Sequence, residues 1–120
     1  MYDKTVNPND LSAYKESFLQ SAKKHIDDAE HNLNLLRTNK ETSEIINELY
    51  LHLHSLKGEC NVMGYNETGL KCEQILLILK SEQEKPTTSR HLILSLKIPI
   101  ETIKKELNSI ENESSISNIS

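Results

Sequence analysis

The chain has no tryptophan, one phenylalanine, three glycines and three prolines in 120 residues. So few turn-forming residues leave little material for the tight hairpins of an all-β fold. Long apolar runs are missing too. The longest uninterrupted one, Ile75 to Leu79, is far short of the ~20 residues that cross a bilayer. No basic, then apolar, then small-residue pattern opens the chain, so a signal peptide is not expected. The formal charge is −4, and no basic cluster stands clear of acids. Asp27, Asp28 and Glu30 follow Lys23-Lys24 closely. That excludes the concentrated positive surface which nucleic acid requires. There is no phosphate-cradling Gly-rich loop and no supported Ser-His-Asp arrangement, hence no ATP site and no hydrolase centre.

The two cysteines, Cys60 and Cys72, lack C-x-x-C spacing and fall at apolar helix positions. They read as reduced core thiols in a cytoplasmic protein. The five histidines offer no shared metal geometry. His52 and His54 diverge by about 200° on a helix, His25 and His31 are six residues apart, and His91 is remote. No metal site is expected among them.

What is abundant is Leu, Ile, Glu, Lys, Asn and Ser in long stretches without a breaker, the composition of a helical bundle. The length suits one domain with one core. Asp10 is placed to cap a first helix whose stripe is Leu11, Tyr14, Phe18, Ala22, Ile26, Ala29, Leu33 and Leu36. Thr38 and Glu41 fit a capping box before a second helix that buries Ile46, Leu49, Leu53, Leu56, Cys60 and Met63. Gly64 should stop it in the left-handed conformation. Asn66 caps a third helix, running to about Ser81 on Gly69, Cys72, Ile75, Leu76 and Leu79. A loop over Glu82 to Thr88 precedes a fourth helix on Leu92, Leu96, Ile100, Ile103, Leu107 and Ile110, kinked at Pro99. The expected organisation is all-α: an N-terminal extension over 1–9, an antiparallel up-down four-helix bundle over 10–111, and a flexible tail or linker over 112–120.

One string stands out: His54-Ser55-Leu56-Lys57-Gly58, then Gly64-Tyr65. On a wheel of 100° per residue, His54 points roughly 130° from the buried direction of the second helix. Tyr50, Leu51, Lys57, Gly58 and Asn61 lie toward the same side. An exposed imidazole is a nucleophile available near neutral pH. Lys57 puts a positive charge within reach of an incoming phosphate. Gly58 costs a helix ~1 kcal/mol relative to alanine, and it opens space for a partner's active-site loop. Tyr50, Leu51 and Asn61 supply a docking rim.

This string, in its four-helix setting, resembles the phosphoacceptor motif of histidine-containing phosphotransfer (HPt) domains, especially those of chemotaxis-type sensor kinases. The resemblance covers about residues 10–110. It implies a phosphocarrier rather than an enzyme. His54 would take a phosphoryl group on its outer ring nitrogen from a histidine kinase or a receiver aspartate, and pass it to a response-regulator receiver aspartate. Lys57 would be the phosphate-side cation and Gly58 the steric gap. No cofactor of its own is implied, because Mg²⁺ would belong to the receiver. Many members place a polar residue on the third helix to bond the inner ring nitrogen. Here that place falls on Leu76, and Glu73 or Gln74 is the substitute. The competing reading is a non-transferring helical module that binds a receiver or kinase through the same face. A monomer without nucleic acid or membrane partners is expected either way.

Overall fold

The computed structural model describes the backbone of residues 8–38 and 41–119, and side chains over 13–38 and 41–113. Within them the chain forms α1 (Pro8–Leu35), α2 (Thr42–Val62), α3 (Asn66–Glu84) and α4 (Ser89–Ile119), with no strand among the described residues. α1 packs on α2 and α4, and α3 packs on α2 and α4, closing an antiparallel up-down bundle. The four apolar stripes explain this closure. Each helix buries one face only, and a square of four gives every stripe two neighbours. The shared core includes Ala22, Ile26, Leu49, Leu53, Leu56, Ile75, Leu79, Leu96, Ile103 and Leu107. Each large aliphatic side chain there contributes about 1.5–3 kcal/mol by leaving water.

The helix ends follow backbone geometry more closely than cap-residue preference. α1 starts at Pro8, a residue suited to a first turn because its missing N–H would be unpaired anyway. Asp10 therefore lies inside the helix and is not its cap. Residues 1–7 of the expected extension lie outside the described residues. Tyr14 is 60 % exposed and is not core. Phe18, one turn later, stacks on Tyr65 at 5.4 Å and closes this end of the bundle, so Tyr14 projects beyond it.

Thr38 is not the cap of α2. Its N–H returns to the Leu35 carbonyl at 3.2 Å in the turn that ends α1, and the cap position falls on Glu41. Gly64 terminates α2 as the sequence predicts, at φ +87°. The Gly64 N–H donates to the Asn61 carbonyl at 3.1 Å and the Tyr65 N–H to the Cys60 carbonyl at 2.8 Å. These are the two bonds of a Schellman motif. Tyr65 then caps α3, its carbonyl accepting the Gly69 N–H at 3.0 Å, so Asn66 is the first helical residue rather than the cap.

α3 continues past Ser81 to Glu84. Glu82, expected in a loop, is buried at 7 % exposure. Its carboxylate accepts the Thr87 N–H at 2.7 Å and the Thr87 hydroxyl at 2.6 Å. Those bonds satisfy a group that would otherwise be costly to bury. Thr88 caps α4 by accepting the His91 N–H at 3.1 Å. α4 runs unbroken through Pro99, flanked by Ser95 and Thr102 hydroxyls that donate to the carbonyls of His91 and Ile98. The segment expected as a tail carries helical backbone through Ile119.

Candidate functional site

Ile46, Leu49, Leu53, Leu56 and Cys60 are all buried, which fixes the rotational phase of α2. That phase turns His54 into solvent. Tyr50, one turn earlier, is half-buried against the core and lays its ring nearly parallel to the His54 imidazole, with centroids 6.2 Å apart and planes 10° apart. Among the described residues no hydrogen bond reaches the His54 ring. Its orientation comes from an aromatic face, an i, i+4 relation that the spacing alone could have signalled.

Lys57 is half-buried, and its ammonium donates to the Glu73 carboxylate across the α2–α3 seam at 2.6 Å. The Glu73 hydrogen bond is the main reason that the Lys57 pKa lies above its ordinary value, and the Glu73 charge adds to it. This corrects the expected role of Glu73: its carboxylate is taken by the lysine and is not bonded to the imidazole. Gln74 is exposed and makes no bond to the ring either. Leu76, at the place where many HPt domains carry a polar residue, is buried.

Gly58 is exposed, and a Cβ built there would meet nothing within 4 Å. Helix packing therefore does not account for this glycine. Gly69 differs. It is buried on α3, and a Cβ there would run into the Asn61 side-chain oxygen. Asn61 thus lies over the α3 backbone at the margin of the His54 face. Leu51 is 64 % exposed and Val62 is exposed as well, which makes that margin partly apolar.

Cys60 and Cys72 are free and fully buried. The hydrogen bond between the two thiols and the burial of Cys72 both push the Cys72 pKa up. No group of three or more His, Cys, Asp or Glu side chains assembles for a metal among the described residues. A cavity of about 450 Å³ between the turn that follows α1 and the start of α4, lined by Leu36, Arg37, Ser89, Arg90, Ile93 and Leu94, does not include His54.

His54 thus stands exposed in the middle of α2, on a face open to a docking partner. The chain belongs to the Hpt domain family, whose model matches residues 13–113. It is accordingly a protein of two-component phosphorelay signal transduction, a class whose members interact with kinases and receiver domains and act as phosphocarriers. No curated protein and no solved structure matches the chain. No helix among the described residues is long and apolar enough to cross a membrane.

Proposed function

We propose that His54 is the phosphoacceptor. It takes a phosphoryl group from a histidine kinase or a receiver-domain aspartate and hands it to a response-regulator receiver aspartate. In the tautomer with its proton on Nδ1, the Nε2 lone pair attacks phosphorus. The bond from phosphorus to the departing oxygen breaks, and its electron pair leaves with the donor's carboxylate or nucleotide. On the outward leg a receiver carboxylate oxygen attacks the same phosphorus, the P–N bond breaks, and its pair returns to Nε2. The receiver supplies Mg²⁺ and most of the charge stabilisation.

This chain supplies position. Tyr50 holds the ring plane, and Gly58 leaves room for the partner's active-site loop. Lys57 meets the phosphoryl oxygens by exchanging its Glu73 carboxylate for them. Leu51 and Asn61 sit on the docking margin. The observation that carries the reading is the exposed imidazole beside a glycine that nothing in the fold requires.

The test is phosphoryl transfer from kinases and phosphorylated receivers. Acid-labile, alkali-stable label on the wild type, absent from His54→Gln, is the expected result. Label persisting on that variant would remove the assignment. One observation favours the alternative, a module that binds without transferring: no carboxylate bonds the His54 ring among the described residues. Partner binding that survives His54→Gln, with no labelled intermediate on the wild type, would select it.

A further inference from the structure

On the other side of α2 two imidazoles meet. His25 of α1 and His52 of α2 bring their Nδ1 atoms within 3.1 Å, with ring planes tilted by 53°. Both side chains are half-buried in the α1–α2 seam. Behind His25, its Nε2 lies 3.8 Å from Glu59 Oε2, and that oxygen accepts the Ser21 hydroxyl at 2.6 Å. The other Glu59 oxygen is buried and has no hydrogen-bond partner among the described residues. Asp28, one turn beyond His25, is bonded to Lys24, and both imidazoles lie within its electrostatic reach.

Two ring nitrogens this close are either joined by one proton or bridged by one ion. With metal–nitrogen bonds of about 2.0–2.1 Å, a 3.1 Å separation subtends roughly 100° at a common ion, close to tetrahedral and octahedral angles. We propose that His25 and His52 form a two-imidazole site for a borderline divalent transition ion such as Zn²⁺ or Ni²⁺, clamping α1 to α2. The donor chemistry fits, because neutral imidazole nitrogen suits these ions. The surroundings fit too. A carboxylate facing the far nitrogen of His25 favours a proton there and leaves the Nδ1 lone pair to the metal, and Ser21 fixes that carboxylate. With only two protein ligands, the remaining coordination positions fall to water. His54 takes no part, because it diverges from His52 by about 200° on the same helix.

The test adds ZnCl₂ or NiCl₂ to the full chain and follows heat release and the melting temperature. The expected result is one ion per chain and a melting temperature raised by about 5 °C at saturating metal. Affinity should fall at least tenfold in His25→Gln and in His52→Gln, and stay unchanged in His54→Gln. If either seam variant does not fold, imidazole ¹⁵N spectra of the wild type replace it, and the His25 and His52 Nδ1 signals must shift on addition of metal. No binding would mean that the pair shares only a proton, and would overturn the proposal. So would binding that His54→Gln abolishes, or metal shifts confined to other histidines.

Discussion

His52 and His54 stand two residues apart on one helix and do opposite things. His52 is turned into the seam with α1, where its ring meets His25 at 3.1 Å. His54 faces solvent, with an aromatic neighbour and no hydrogen bond among the described residues. The residue type is the same, so the difference comes from helical phase. About 200° of rotation separates an imidazole that ties two helices together from one that a partner protein can reach. Accessibility to a macromolecule is here a property of the face, and the buried stripe of α2 sets which face that is.

The largest effect that sharpens this contrast is the paired substitution. His54→Gln should abolish phosphoryl transfer and change stability by no more than about 0.5 kcal/mol, as expected of an exposed residue. His52→Gln should leave transfer intact and lower stability by about 1 kcal/mol through the lost contact with His25. Denaturant unfolding together with a transfer assay on both variants reads this out. Equal loss of transfer in the two would break the comparison.

Gly58 gives the next largest effect, with opposite signs in two assays. Gly58→Ala should stabilise the fold by about 0.5–1 kcal/mol, because α2 gains a helix former in open space. A bulkier Gly58→Leu should cut the rate of transfer at least tenfold with the fold intact. If Gly58→Leu transfers at the wild-type rate, the gap is not used by a partner.

How much of this was legible depends on how far each feature reaches along the chain. The His54, Lys57 and Gly58 face was readable because Ile46, Leu49, Leu53, Leu56 and Cys60 set the phase of α2 within one element. Gly64 was readable because only a residue at ease with positive φ suits a Schellman end. Asp10, Thr38 and Asn66 look like caps in the sequence but are not, because cap preferences are local and weak and the helices begin elsewhere. Glu82 looked like a loop residue because its burial depends on Thr87 folding back over it. Cross-helix pairs were out of reach. Periodicity tells which face of a helix is buried but not which residue on a neighbouring helix stands opposite, so neither Lys57–Glu73 nor His25–His52 was visible.

Lys57 should show a smaller effect. Lys57→Ala removes one charge-assisted contact to the phosphoryl group and should slow transfer by about tenfold. Glu73→Gln releases the ammonium from its carboxylate and should leave transfer equal or faster. The pair also has a pH signature. Because the Lys57 pKa is raised, chiefly by the Glu73 hydrogen bond, its contribution to stability is fully present below the ordinary lysine value. It is lost as pH climbs through the raised one. Glu73→Gln should remove that alkaline limb, seen in melting curves followed from neutral pH up through and beyond the ordinary lysine value. Tyr50 closes the series. Tyr50→Phe should transfer normally, and Tyr50→Ala should slow transfer a few-fold by freeing the imidazole ring.

The central claim is that the phosphoryl group travels on one ring nitrogen of one histidine. Its most direct test is to phosphorylate ¹⁵N-labelled protein with a cognate donor and locate the new P–N bond by ³¹P and ¹⁵N NMR. A single phosphoramidate at Nε2 of His54, with the His25 and His52 signals unchanged, is expected. A phosphoryl group found on His52 or His25, or on an aspartate, would contradict it.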